Sequence, residues 1–170
     1  TCGQVITSDM NVSGTLDCSN YEGPFALVVY GNHVDLDGGN NKLKIIFPQG
    51  KIGLLVYGHY NFIKNIEIKG ITNGMGILNF DAGHTEIEDC ISSENLIGIA
   101  LYADDETVEQ VSLQNNNFSH NSLFGIRAND EGQMGKEVKH LELYNNDFSY
   151  SGYYAFHIKG SDIEFENFNN

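Results

Sequence analysis

The sequence predicts an all-β solenoid, in which successive turns of the chain stack as parallel rungs. A Gly or Ala at the head of an apolar strand recurs six times, and the spacings counted from Ala26 are 27, 23, 22, 27 and 30 residues. Self-similarity at a period of about 20 to 30 residues is typical of solenoids, whose units bury their apolar rows only against neighbouring units. The six repeats are Phe25–Val29, Ile52–Val56, Met75–Leu78, Ile97–Leu101, Phe124–Ala128 and Tyr154–Ile158.

A second row of short strands supports this interpretation. Its segments alternate apolar and polar residues, and a period of two indicates strands rather than helices. These segments are Val34–Leu36, Ile66–Ile68, Val111–Leu113, Leu141–Leu143 and Ile163–Phe165. We expect the outward carboxylates of this row to form a solvated acidic stripe made of Asp35, Glu67, Glu88, Glu142 and Glu164.

Asparagine-rich clusters follow the second row, at Asn115–Asn117, Asn145–Asp147 and Asn167–Asn170. Asn tolerates the left-handed backbone of corners and stacks its amide on the coil above. An apolar residue next to each corner is expected to plug the interior, at Ile71, Ile91, Phe118, Phe148 and Phe168. Two or three strands per coil, asparagine corners and an inward plug predict a parallel β-helix. We expect one domain, with an amino-terminal cap over residues 1–24 and about six coils over residues 25–170.

The repeats resemble the PbH1 repeats of single-stranded right-handed parallel β-helix proteins. That superfamily includes pectate lyases, alginate epimerases, phage tailspikes and NosD-like periplasmic proteins. The opening Thr1–Thr7, with Cys18 ahead of Val34–Gly38, is similar to the amino-terminal cap of secreted members. The resemblance implies the fold and leaves the chemistry open. The sequence contains no lyase or epimerase motif such as Asp-Pro-His-Glu.

The cysteines indicate an oxidising compartment. Cys2 and Cys18 bracket the first β segment and are expected to form a disulfide, whereas Cys90 is expected to be a buried, unreactive thiol. The chain starts at Thr1 and has no apolar run long enough to span a bilayer, so we expect a mature secreted or cell-surface protein. Sequons at Asn11 and Asn117 permit glycosylation.

Charge excludes several partners. The formal net charge is -14, and Arg127 is the single arginine. Binding to nucleic acids or insertion into membranes is therefore not expected, because phosphate contact depends on clustered Lys and Arg. Anionic polysaccharide is disfavoured unless a divalent cation bridges it to the protein. No cofactor is expected, and Ca²⁺ is a candidate ion.

An outward-facing apolar surface is the most informative functional feature. If the first and third residues after each Gly or Ala point inward, the second and fourth point outward and stack from coil to coil about 4.8 Å apart. We call this surface the apolar face, and it consists of Val28, Tyr30, Leu55, Tyr57, Leu78, Phe80 and Tyr102. Three interpretations remain open. The rings stack against sugars, they contact a protein surface such as a second copy, or they are covered by the Thr1–Tyr21 segment or by a long loop that folds back over them.

These features favour a secreted, non-catalytic structural solenoid that is a subunit of an extracellular assembly or filament. Lateral contacts are expected at the apolar face. The last coil stops at Glu166–Asn170 with no capping segment after it. Either the domain was cut from a longer protein, or this open end receives a neighbouring subunit in an end-to-end contact. The alternative is a carbohydrate-binding or polysaccharide-processing protein. In a lyase-like site, carboxylates would hold Ca²⁺ and Arg127 would remove a proton. The carboxylates that could do so, all on turns, are Asp104, Asp105, Asp130 and Glu131.

Two histidines are a further metal-binding candidate. His59 and His84 each follow a glycine and are expected at the same turn position of consecutive coils, with His33 close to that row. Stacked imidazoles can share Zn²⁺ or Cu²⁺. Only two ligands in register are visible, whereas a metal site needs three or four, so polar turn caps are the favoured interpretation.

Overall fold

The computed structural model describes residues 1–129, 137–158 and 160–166, and in these ranges the chain forms short strands and no helix. In chain order the strands are β1 Gln4–Ile6, β2 Met10–Asn11, β3 Gly14–Asp17, β4 Phe25–Tyr30, β5 Asp35–Asp37, β6 Leu43–Ile46, β7 Ile52–Tyr57, β8 Phe62–Lys64, β9 Ile66–Lys69, β10 Met75–Phe80, β11 Glu86–Glu88, β12 Ile91–Ser93, β13 Ile97–Tyr102, β14 Val108–Gln114, β15 Phe124–Asn129, β16 Val138–Tyr144, β17 Tyr154–Ile158 and β18 Gly160–Glu166.

The strands form three parallel sheets that wrap around one core. The first sheet has the order β1-β4-β7-β10-β13-β15-β17, the second β18-β16-β14-β11-β8-β5-β2, and the third β12-β9-β6-β3. Each strand pairs with its counterparts one coil earlier and one coil later, which confirms the predicted solenoid of about six coils. Residues 1–24 supply β1, β2 and β3, and these strands pair with β4, β5 and β6 as a further rung.

Inward columns of aliphatic side chains fill the interior. The first and third residues after the Gly or Ala are buried in the first five repeats, as predicted, and Leu54, Val56 and Ile99 have no exposed surface. In the last repeat Phe156 and Ile158 are only partly buried. From the second sheet, Leu36, Ile63 and Ile87 meet these columns. Because every apolar row lies against the equivalent row of the next coil, burial propagates along the solenoid without a separate core for each coil.

Two predicted positions were wrong. Ile66–Ile68 lies in β9 of the third sheet rather than in the second sheet. The five carboxylates therefore do not form a single stripe. Glu67 lies in the third sheet, in register with Lys44 and Ile91, and the residue in register with Asp35 on the next coil is Phe62. The interior plug next to Cys90 is Ser92, which is fully buried and in register with Ile68, whereas Ile91 is half-buried. Phe118 and Phe148 are buried as predicted, and Phe168 lies outside the described residues.

Asparagines shape the corners, as predicted. Asn65, Asn115 and Asn145 adopt positive φ angles of 58°, 55° and 52° where strands of the second sheet end. The Asn145 side-chain amide donates to Asn115 Oδ1 at 2.8 Å, and one position further along, Asn116 donates to Asn146 Oδ1 at 3.0 Å. These amide ladders give the turning backbone polar partners and hold the coils in register.

The cysteines occupy the predicted states. Cys2 and Cys18 form a disulfide with a Cα–Cα distance of 5.7 Å, which closes the first rung on itself. Cys90 is a free thiol with 1% of its surface exposed. A disulfide that spans 16 residues lowers the entropy of the unfolded chain and so stabilises the fold by about 3 kcal/mol. This contribution matters at the first rung, because that rung has a stacked neighbour on one side only.

Asn79 is the polar exception in an inward column, between Val56 and Leu101. Its Nδ2 donates to Ala82 O at 2.7 Å, but its buried Oδ1 has no hydrogen-bond partner. We expect Asn79→Leu to raise the free energy of unfolding by about 1 kcal/mol, because it removes an unsatisfied acceptor. Thr85 Oγ1 lies 3.2 Å from Ala82 O and continues to donate to it. Chemical denaturation measures the change.

The matched control for this prediction is Asn121→Leu. Asn121 is equally buried, but its side chain accepts from Asn95 N at 3.0 Å and donates to Ser92 O and Phe118 O at 3.0 and 2.6 Å. The same substitution here should cost about 3 kcal/mol, since it leaves three backbone groups unpaired. Equal losses of stability in both variants would contradict the conclusion that the buried Asn79 Oδ1 has no hydrogen-bond partner.

The buried thiol predicts a specific alkaline behaviour. Burial raises the pKa of Cys90 to about 12, whereas a thiol in the unfolded chain titrates near 8.5. Between these two values the unfolded state has lost the proton and the folded state still holds it. The free energy of unfolding therefore falls as the pH rises, by up to about 1.4 kcal/mol per pH unit for this one group. The advantage of the wild type over Cys90→Ala should shrink between about pH 8.5 and pH 11. If the unfolding free energies of the two proteins instead change in parallel with pH, the buried, protonated state of Cys90 is refuted.

Candidate functional site

The predicted stack of outward rings is confirmed. Tyr30, Tyr57, Phe80 and Tyr102 are in register on β4, β7, β10 and β13, and we call these four rings the aromatic ladder. Consecutive ring centroids are separated by 5.2, 6.2 and 5.4 Å, and the ring planes differ by 6°, 23° and 18°. Val28, Leu55 and Leu78 form the parallel aliphatic column two residues earlier on the same strands, and each is half-buried.

A third apolar column was not assigned by the sequence analysis. It consists of the residues that precede each Gly or Ala, and we call it the head column: Phe25, Ile52, Met75, Ile97, Phe124 and Tyr154. Phe124 contacts Tyr154 and the outward His157 at centroid distances of 6.2 and 5.5 Å. The repeat itself contained this signal, because each of its six copies begins with a large apolar residue.

Charge is distributed unevenly around the solenoid. The seven strands of the first sheet contain no Asp or Glu, although the chain carries 23 of these residues. Strands of the second sheet carry carboxylates on several rungs, among them Asp35, Asp37, Glu86 and Glu88. The apolar face is therefore the outer surface of a sheet free of negative charge on a strongly acidic protein.

The apolar face is not flat. Val5 and Tyr30, at its amino-terminal end, are 54% and 55% exposed. Near β13 the surface recedes, because Ala100 is small and lies between the larger Leu78 and Arg127 of the neighbouring strands. A cleft of about 250 Å³ opens there, lined by Met75, Leu78, Phe80, Ala100, Leu101, Tyr102 and Arg127. The amino-terminal end of the face is exposed, and the end at β13 is recessed.

The amino-terminal segment does not cover the apolar face. β1 adds its own rung at the end of the first sheet, with Val5 in register with Val28, and so it extends the surface. More than half of the Tyr30 side chain is exposed. The interpretation that residues 1–21 convert the stripe into an ordinary satellite core is therefore wrong.

The orientation of the rings limits what the ladder can bind. Because successive ring planes are nearly parallel and stack along the solenoid, the faces of the inner rings are turned toward neighbouring rings. Stacking on a sugar requires an accessible ring face, whereas contact with apolar side chains uses ring edges as well. Partial burial raises the pKa of the Tyr57 hydroxyl, and the electrostatic effect of the Asp81 carboxylate is the next largest cause of this increase. The faces of the inner rings are therefore not free to stack on a sugar.

The acidic turn after β13 is organised around Asp81. This carboxylate is 3% exposed and accepts backbone N–H groups from Asp104, Asp105 and Glu106 at 2.6, 3.2 and 3.5 Å. Arg127 lies outward on β15, in register with Ala100 and His157. The proposed lyase carboxylates Asp130 and Glu131 lie outside the described residues. Within the described ranges, no three His, Cys, Asp or Glu side chains are grouped to hold a metal ion.

The predicted histidine pair is not in register. The His84 ring stacks on Tyr60 at 4.4 Å, and Tyr60 stacks on His33 at 4.9 Å, so these three residues form the column. His59 lies one position earlier, where its Nδ1 accepts from Gly83 N at 3.3 Å and its Nε2 contacts Glu106 Oε2 at 2.8 Å. The repeated Gly-His dipeptide suggested the wrong register, because the coils differ in length by one residue at this corner.

The two sequons differ in accessibility. Asn11 lies exposed on β2. Asn117 is half-buried, and its Oδ1 accepts from Ser119 N at 2.9 Å and from Ser119 Oγ at 2.6 Å, with Ser119 itself 2% exposed. If the protein meets a glycosylation machinery, Asn11 is the more accessible acceptor.

Comparison with known families identifies the class of protein. A model of the right-handed β-helix region matches residues 25–169, so the chain belongs to the right-handed β-helix family. No curated protein and no solved structure matches the chain. Among the described residues, no helix is long and apolar enough to cross a membrane. The family fixes the fold, and function has to be argued from the surface.

Asp81 provides a test of the acidic turn. If its carboxylate anchors the turn, Asp81→Ala should lower the free energy of unfolding by about 2 kcal/mol, because three N–H groups lose a charged acceptor. Asp104→Ala, in the same turn, should change stability by less than about 0.5 kcal/mol. Thermal and urea unfolding of both variants measure the difference. Unchanged stability in Asp81→Ala would contradict the anchoring role.

Proposed function

We propose that this protein is a secreted, non-catalytic structural β-helix that associates laterally with copies of itself through the apolar face. The observation that carries the proposal is the absence of Asp and Glu from the first sheet of a chain with net charge -14. Two copies repel each other wherever carboxylates face carboxylates. At the first sheet no strand residue carries a carboxylate, so the copies approach with less repulsion and bury aromatic and aliphatic side chains.

Exposure and ring geometry support this proposal. Monomeric proteins seldom expose a contiguous apolar patch that extends over several strands, and Tyr and Phe are enriched in the cores of protein interfaces. The polysaccharide alternative is less well supported, since the ladder turns ring faces toward each other instead of toward solvent. The disulfide Cys2–Cys18 supports an extracellular location. End-to-end contact between solenoids stays a prediction.

The size of the face sets the expected strength of association. Six residues along each strand and five rungs span about 20 Å by about 24 Å, or roughly 480 Å² per copy and roughly 960 Å² in total. Stable interfaces commonly bury about 1,200–2,000 Å² or more in total. The pair should therefore be reversible, with further contacts needed to build a larger assembly.

Sedimentation equilibrium of charge variants tests the proposal. Leu55→Asp places a carboxylate in the centre of the apolar face and should abolish association across the accessible concentration range. Ser112→Asp, at a half-buried outward position of β14, is the matched control and should leave association unchanged. Added salt should strengthen association of the wild type, because it screens the net charge.

Two outcomes would refute the proposal. The first is a wild type that stays monomeric at high concentration and high salt. The second is association that Leu55→Asp leaves intact while the variant remains folded by circular dichroism.

A further inference from the structure

The aliphatic column of the first sheet changes character after Leu78. The next residues in register are Ala100, then Arg127, then His157, on β13, β15 and β17. A small residue is therefore followed by a guanidinium, and the cleft of about 250 Å³ lies over Ala100, between Leu78 and Arg127. Within the described strands of the first sheet, Arg127 is the one residue that carries a permanent charge. Apolar walls and a fixed cation thus meet at one place on this sheet.

The walls of the cleft come from two of the outward columns. Phe80 and Tyr102 of the aromatic ladder form one side, with ring centroids 5.4 Å apart, and Met75 of the head column lies on the other side. Ala100, between them, is 5% exposed. An apolar cavity of about 150 Å³ holds a benzene molecule. The cleft therefore has room for one aromatic ring, or a short hydrocarbon chain, with a polar group attached.

The Arg127 side chain is suited to an anionic group on such a molecule. It is half-buried, and electrostatic attraction is stronger where water is partly excluded. A guanidinium pairs with a carboxylate through two parallel N–H···O bonds, and because it is weakly hydrated it loses little by lying against apolar walls. Its five N–H donors allow it to hold a carboxylate while it keeps its other contacts.

The charges around the cleft also give an anion a preferred direction. The acidic turn that Asp81 anchors follows Tyr102, at the end of β13, and so it lies beyond the ladder side of the cleft. Arg127 is on the next strand, in register with Ala100. A negative group is therefore repelled from the ladder side and attracted to the β15 side, while an apolar body is free to pack against the rings.

We propose that the cleft at Ala100 binds a small organic carboxylate with an apolar or aromatic body. The body lies over Ala100 against Leu78 and the ladder rings, and the carboxylate pairs with the Arg127 guanidinium. This site goes beyond the proposed function and does not depend on it, because a single copy supplies every residue that lines the cleft. A neutral molecule would gain only the apolar part of the interaction, and an organic cation would be repelled by Arg127.

Two probes that differ in one group test the proposal. Phenylpropanoate has a benzene ring, a short linker and a carboxylate, and phenylpropanamide has nearly the same shape without the charge. Both are titrated into the protein at concentrations where sedimentation shows a monomer, and amide NMR spectra record which residues shift. We expect shifts around Ala100, a dissociation constant on the order of 1 mM for the carboxylate, and binding of the amide that is at least about tenfold weaker.

Three variants separate the apolar and the charged part of the site. Arg127→Gln should weaken binding of phenylpropanoate at least about tenfold and leave binding of phenylpropanamide unchanged, a difference that a general loss of structure would not produce. Lys44→Gln removes the same charge from an exposed position of the third sheet and should change neither affinity. Ala100→Leu fills the cleft and should abolish the shifts caused by both probes.

Several results would overturn this inference. They are equal affinities of the wild type for the two probes, shifts that persist in Ala100→Leu, and no binding of either probe at tens of millimolar. Lateral association is measured without a probe, so the two proposals fail separately. A wild type that stays monomeric at high concentration yet binds phenylpropanoate refutes the proposed function alone. A wild type that associates but does not bind phenylpropanoate refutes this inference alone.

Discussion

In-register stacking of coils is the constraint on which the rest of this structure depends. Each strand pairs with the strand one coil away, so residues some 22 to 30 positions apart become neighbours about 4.8 Å apart. Any property of a position is therefore repeated along a column. Apolar rows become a continuous core, asparagines become amide ladders, and four rings become the aromatic ladder.

The same constraint makes charge costly, because like charges would also stack. The second and third sheets avoid most of this cost by alternating signs or inserting neutral residues. Lys64 is in register with Asp37 and Glu88, and its Nζ lies 3.4 Å from an Asp37 carboxylate oxygen. Lys44 is in register with Glu67, and its Nζ lies 3.9 Å from Glu67 Oε2. These exposed pairs contribute little to stability, but they remove stacked repulsion. The first sheet solves the problem differently, by carrying no acidic residue.

Features that arise directly from this repetition could be predicted from the sequence. The solenoid, the inward and outward alternation on the first sheet, the stacked rings at Tyr57 and Phe80, and the Cys2–Cys18 bridge all come from local pattern or spacing. The errors arose where coils differ in length. Ile66–Ile68 has the same alternation as a second-sheet strand but comes after an extra corner at Asn65, and so it belongs to the third sheet. The repeated Gly-His dipeptide places His59 in the column of His84, whereas Tyr60, one residue after His59, occupies that position. Period alone does not reveal at which corner the chain gains a residue.

The cleft at Ala100 lay beyond sequence reasoning for a related reason. A small residue in an outward column looks like a minor variation, and its significance depends on which side chains surround it in three dimensions. Phe80 and Leu78 on the preceding rung and Arg127 on the following rung leave the space over Ala100 open. The exposure of Tyr30 depends equally on the absence of a ring beside it on β1. Two irregular rungs thus interrupt a column of nearly uniform apolar residues. A perfectly uniform ladder would allow two copies to slide past each other in any register, so these rungs limit the registers in which the proposed lateral association can occur.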